Sequence, residues 1–270
     1  MRRNASLCAL LVTLVVAPSA AQTPLEPGAF GALGMYPKRL SCADLPVFSE
    51  PQPVHRLPAA HEGDAKLRRA FAAPDTLMIP GGTSVGLEPG QQFFVRRLLT
   101  SPNHTKASST SPAIVHTAGW ITVTASDDYS ALARIDYACD GFLKGDYLEP
   151  FVAAPMPTAI AAPSPTRFTP AAPRNTQFTD MGRLMFGADG RRAFANGDLI
   201  AINRGTAHGF TAGARISIWR DPKTAGPLVE VGSAIVLTVA GDTSTVIADR
   251  VRDALYVGDW VGTQAPATRP

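Results

Sequence analysis

The sequence predicts an all-β protein: two tandem homologous small antiparallel β-barrel or sandwich domains joined by a Pro/Ala-rich spacer. Three observations carry this. Residues 68–97 and 191–220 match without a gap, apolar residues alternate with period two between glycine turns, and 24 Pro and 23 Gly in 270 residues leave little room for long helices.

In chain order, residues 1–21 read as a secretory signal peptide. Met1-Arg2-Arg3 is a positive n-region, Leu7 to Ala17 an apolar run, and Pro18-Ser19-Ala20-Ala21 supplies small residues before a cut at Gln22. The run is too short to span a bilayer, and no longer one follows, so no transmembrane anchor is expected. Residues 22–64 are Pro-rich and aperiodic, which predicts a poorly ordered N-terminal arm. Residues 65–150 form the first predicted β domain and 178–264 the second. Between them, 151–177 carries spaced Pro on an Ala-rich background, expected as an extended spacer without a strand ladder, and 265–270 is a tail.

Removing the signal takes Cys8 with it and leaves Cys42 and Cys139. An even pair in an oxidising compartment predicts one disulfide, worth about 4–5 kcal/mol in the chain-entropy model. Neither cysteine has a Cys or His at metal-ligand spacing. The formal charge of +3 falls to about +1 once Arg2 and Arg3 leave, too little for a phosphate-tracking surface, and nucleic acid is excluded as a partner.

The internal match has a constant offset of 123 and twelve identities, among them Phe71/Phe194, Asp75/Asp198, Ile79/Ile202, Gly82/Gly205, Gly90/Gly213 and Arg97/Arg220. The likeness resumes at Asp128-Tyr129-Ser130 against Asp242-Thr243-Ser244, and at Gly145-Asp146-Tyr147-Leu148 against Gly258-Asp259-Trp260-Val261. Each unit then reads as short strands separated by glycines where the backbone turns sharply. Phe93-x-Val95-x-Arg97 and Ile216-x-Ile218-x-Arg220 alternate as half-buried strands. Strands are also expected over Gly119–Thr124, Ala131–Ile135, Ala234–Val239 and Ser244–Ile247. The helix candidates are Ala65 to Ala72 and its counterpart around Arg191 to Ala195.

Gly86-Leu87-Glu88-Pro89-Gly90 and Gly145-Asp146-Tyr147-Leu148, with Gly209 to Gly213 and Gly258 to Val261, give a pattern that resembles the small β domains of bacterial envelope proteins. Some of those carry a peptidoglycan-binding LysM module, and related domains occur in outer-membrane-associated flagellar assembly proteins. No LysM module is legible in this chain. The resemblance implies the architecture and the compartment.

No set of residues announces catalysis. There is no G-x-S-x-G, and Ser126 and Ser244 have no neighbouring His. His55, His61, His104, His116 and His208 show no tight metal spacing, and Gly81-Gly82-Thr83-Ser84 lacks the Lys of a phosphate loop. Asp127-Asp128 reads as turn chemistry, as do the pairs Asp75/Asp198 and Asp146/Asp259. Trp120, Trp219, Trp260, Tyr137 and Tyr256 offer stacking surfaces, but four of the five fall in predicted strands, where burial is the common fate. Arg68-Arg69 and Arg191-Arg192 read as solvated ends of short helices packed through Phe71 and Phe194.

The residues kept in both copies are Gly, apolar positions and turn Asp. The function expected is therefore that of a secreted, periplasmic or extracellular envelope protein, a non-catalytic binding or assembly module for peptidoglycan, a polysaccharide or an envelope protein. The alternative is a secreted hydrolase with its site between the two units, for which Asp127, Asp128 and His116 are the first candidates. A structural outer-surface protein is the third reading. No cofactor, no metal ligand set and no oligomeric state follows from these residues.

Overall fold

The computed structural model describes residues 22–24, 36–53, 55–57, 75–99, 112–161, 181–222 and 228–262. The expected signal peptide, the helix at Ala65 to Ala72 and the tail lie outside the described residues.

Among the described residues the chain is nearly all β. β1 (Gln22–Pro24) precedes the five-residue α1 (Pro37–Ser41), which Pro37 opens at a position where its missing N–H costs nothing. β2 (Leu45–Val47), β3 (Thr76–Pro80), β4 (Gln92–Leu99), β5 (Ala113–Ser126), β6 (Ser130–Ala138) and β7 (Tyr147–Pro150) build an open, half-barrel antiparallel sheet. Its order is β3-β6-β5-β4-β7, with β2 also paired to β5. β8 (Ala159–Ala161) pairs with β1.

β9 (Gly182–Gly187), β10 (Ala193–Phe194), β11 (Leu199–Ile202), β12 (Arg215–Arg220), β13 (Val229–Val239), β14 (Ser244–Val251), β15 (Leu255–Tyr256) and β16 (Trp260–Gly262) follow. Six of them close a barrel in the order β11-β14-β13-β12-β16-β9, and β10 pairs with β15.

Each sheet wraps its own core, and the cores are lined at matching positions. Leu77, Ile79, Leu87 and Val95 fill the first, and Ile200, Ile202, Phe210 and Ile218 fill the second. Backbone pairing follows suit: Leu77 lies opposite Ala133 and Ile200 opposite Val246. Gly90 N–H donates to the Val123 carbonyl at 2.8 Å, as Gly213 does to Val236. This register corrects one expected equivalence. Asp127 N–H bonds the Ser130 carbonyl while Ala240 bonds Thr243, so Ser130 corresponds to Thr243 rather than to Ser244.

Three further expectations change. The segment Arg191 to Ala195 is no helix; Ala193–Phe194 is β10, although Phe194 is buried and Arg191 exposed. Arg191 instead meets Asp198 at 3.3 Å. The described part of the Pro-rich stretch 22–64 is bound to the sheets: β2 joins β5, and Leu57 N–H donates to the Asp146 carbonyl at 2.7 Å, as Leu184 does to Asp259 at 3.0 Å. The spacer forms a three-residue ladder at β8, where no proline interrupts Ala159–Ala161.

The two sheets touch. Ile114 of β5 packs with Phe186 and Ala201 of the barrel, and Leu40 of α1 packs with Ile235, Leu237 and Ile247 on the barrel's outer face. Arg39 Nη2 donates to the Gly197 carbonyl across this junction at 2.7 Å.

Candidate functional site

One edge of β5 is shared by two strands. β6 pairs with Gly119 to Ser126, and β2 with Ala113 to Val115, leaving His116 between them. At that break the Cys42–Cys139 disulfide ties the end of α1 to the end of β6, with the Cα atoms 5.7 Å apart. The expected pairing is thus present, and a disulfide fits a protein outside the cytoplasm. Among the described residues no helix is long and apolar enough to cross a membrane.

Beside the disulfide, His116 Nδ1 lies 2.9 Å from Asp44 Oδ1 and 3.5 Å from Asp189 Oδ1. His116 and Asp44 are buried, while Asp189 is exposed on the turn after β9. The other Asp44 oxygen accepts the Asp189 backbone N–H at 2.7 Å, so this carboxylate faces both sheets. On the far side of the ring, His116 Nε2 stands 3.4 Å from Asp140 Oδ2 and has no hydrogen-bond partner. The hydrogen bond to Asp44 raises the His116 pKa against the opposing effect of burial.

The alternative hydrolase residues do not converge on His116. Asp127 is eleven residues further along the β5 chain path, roughly 35 Å at strand rise. Its Oδ1 accepts the Tyr129 and Ser130 N–H groups at 2.8 and 2.7 Å, the turn geometry its position suggested. Asp128 accepts the Thr83 hydroxyl at 2.9 Å.

The aromatic candidates divide. Trp219 is fully buried, and Trp120 is buried with its ring stacked on half-buried Tyr137, 4.7 Å between centroids. Trp260 is half-buried beneath the Arg183 guanidinium at 3.3 Å, and Tyr256 is exposed. Of these five, Trp120 and Trp219 are buried, Tyr137 and Trp260 half-buried, and Tyr256 exposed with the Arg220 guanidinium 4.8 Å from its ring centre.

A groove runs between β2 with its following loop and the β13–β14 hairpin, with a volume of about 730 Å³. Leu45, Val47, Phe48 and Val239 give it an apolar lining, and Arg96, Tyr147 and Glu149 also line it. A second hollow of about 360 Å³, with Pro53, His55 and Phe93, shares Pro51, Tyr147 and Glu149 with it. Arg96 and Tyr147 are opposite one another on β4 and β7. Arg96 Nη1 meets Glu149 at 3.0 Å, and its guanidinium lies 4.5 Å from the Phe94 ring centre. Yet Arg96 Nε and the Tyr147 hydroxyl are both buried without a hydrogen-bond partner. Burial pushes the Tyr147 phenol up to about 12.

The matching pair in the barrel is Trp219 opposite Trp260. The polar pair is thus a feature of the first sheet alone. Sequence reasoning missed it because Arg96 adjoins the strand's alternating apolar positions and carries no motif.

No protein-family model matches the chain, and no curated protein matches it in sequence.

Proposed function

We propose that this is a secreted bacterial cell-envelope protein, exported by its N-terminal signal and built from two copies of one β domain, that acts as a non-catalytic binding or assembly module. Its partner is a chain rich in acceptor oxygens, whether peptidoglycan, another polysaccharide or an envelope protein, seated in the groove beside Arg96 and Tyr147. The observation that supports this is the pair of buried, unpartnered donors at Arg96 Nε and the Tyr147 hydroxyl. Buried polar groups are satisfied in nearly all native structures, so two adjacent exceptions in one groove support the reading that a ligand atom is seated beside them. Among the polar residues that recur in both halves, Arg97 with Asp146 and Arg220 with Asp259 are taken up by bonds to each other.

The test is retention of the purified chain on isolated sacculi, on soluble envelope polysaccharide, and in crosslinks to envelope proteins. Saturable retention in one arm, with no soluble fragments released, is expected. Fragment release with turnover favours the hydrolase, and retention in no arm removes the proposal.

A further inference from the structure

We propose that Asp44, His116 and Asp189 hold one divalent transition-metal ion of the zinc type, which clasps the first sheet to the barrel. This stands independently of the groove.

The three donors come from three segments: the loop after α1, strand β5 and the turn after β9. One ligand atom from each lies within 4.8 Å of the others. Ligands bound at about 2.0–2.1 Å around a tetrahedral ion stand roughly 3.3 Å apart. The separations from His116 Nδ1, 2.9 Å to Asp44 and 3.5 Å to Asp189, bracket that value. An imidazole with two carboxylates suits zinc and its first-row neighbours better than calcium or magnesium, which prefer all-oxygen shells.

The far side of the imidazole supplies the second observation. His116 is 6% exposed, and its Nε2 is buried with no hydrogen-bond partner. With Nδ1 bound to an ion, the ring is neutral and Nε2 carries the remaining proton. A metal-bound histidine usually presents that N–H to a carboxylate. Asp140 Oδ2 is the group in place, 3.4 Å away, and Arg97 Nη1 holds the same oxygen at 3.6 Å.

Asp44 divides its two oxygens. Oδ2 accepts the Asp189 N–H at 2.7 Å, which leaves Oδ1 for the ion. Asp189 is 76% exposed at its side chain, so the ion's remaining position opens to solvent on that side. Binding exchanges the proton on His116 Nδ1 for the ion and releases that proton to solvent, with no change of oxidation state.

The test uses the tag-free chain stripped with a chelator, titrated with zinc by calorimetry and with cobalt(II) by visible absorption. One ion per chain is expected, with a chelator-reversible rise in Tm. Asp189→Asn, on an exposed side chain, should fold normally and weaken binding at least tenfold; His116→Asn, at a buried position, should lower the apo Tm and weaken binding at least tenfold, and His55→Gln should not weaken it. Absence of one-to-one binding in the parent chain overturns the proposal. So does binding by Asp189→Asn and His116→Asn as tight as the parent's.

Discussion

Arg97 grips both carboxylate oxygens of Asp146, Nε to Oδ1 at 2.7 Å and Nη2 to Oδ2 at 2.8 Å. Arg220 holds Asp259 in the same way, at 3.0 and 2.7 Å. The likeness extends to their surroundings. Arg97 also reaches the Gly141 carbonyl and Asp140, as Arg220 reaches the Ala254 carbonyl and Asp253. Leu143 N–H bonds Asp146 where Tyr256 N–H bonds Asp259, each at 2.8 Å. Each pair fastens the last loop of its sheet to the strand before the long hairpin.

Asp146 is 1% exposed, so Arg97→Ala leaves a buried carboxylate without its counter-ion. A loss of about 3–5 kcal/mol in urea unfolding is expected, with a similar loss for Arg220→Ala. Arg97→Lys, which cannot make the bidentate contact, should recover only part of it. A loss under about 1 kcal/mol for either alanine variant would show that the fork contributes no more than a surface ion pair.

Glycine positions in one turn should differ in cost. Gly82 has φ +46° and a Cβ there would collide with the Asp127 carbonyl oxygen, while Gly86 has φ +83° with nothing within 4 Å. Gly86→Ala should therefore cost only the backbone term, roughly 1–2 kcal/mol. Gly82→Ala adds a clash with fixed backbone and should cost about 3 kcal/mol or more. Equal melting temperatures for the two would contradict this account of the turn.

The disulfide closes a separation of 97 residues, so Cys42→Ser with Cys139→Ser should lower stability by about 4–5 kcal/mol. Intact mass before and after reduction should differ by two hydrogens in the parent chain and by none in the double variant. A parent mass unmoved by reductant would mean that the bond does not form.

Tyr147 sets a pH dependence. Its folded pKa of about 12 exceeds the ordinary phenol value of about 10, so the folded state binds the proton more tightly than the unfolded one. The associated stability is complete below about pH 10 and is lost as pH rises toward 12. Between about pH 9 and pH 11.5 the parent should lose stability faster than Tyr147→Phe. Parallel curves would show that this phenol is not buried.

Much of the fold was legible because glycines and period-two apolar residues act locally. Gly82 and Gly90 stand where backbone turns, and Val95 and Ile121 where strands face a core. What local pattern does not carry was missed. The three residues His55 to Leu57 join the β7 region through backbone bonds, reinforced by Leu57 in the core and by Arg56 Nη1 donating to the Gly145 carbonyl, and so short a stretch between prolines shows no strand period. The Asp128/Asp242 equivalence followed side-chain identity in a hairpin turn, whereas register is set by the flanking ladder, one residue away. Arg191 to Ala195 is a helix candidate only as the counterpart of Ala65 to Ala72; two residues of it pair with β15 instead, a long-range contact that local pattern does not carry. His116 was named as a candidate, but its companions Asp44 and Asp189 are 72 and 73 residues away in sequence, and only the fold gathers them. Arg96 and Tyr147 became visible as a pair only when β4 met β7.

The most direct measurement compares Tyr147→Phe with the parent chain for both stability and retention on sacculi, polysaccharide and envelope proteins. Removing one unpartnered buried hydroxyl relieves a desolvation cost of about 1–3 kcal/mol, so the variant should be at least as stable. The same change removes a ligand contact, and retention should fall at least tenfold in whichever arm holds the parent. A variant retained as well as the parent, or a parent retained nowhere, would contradict a binding module built on this groove.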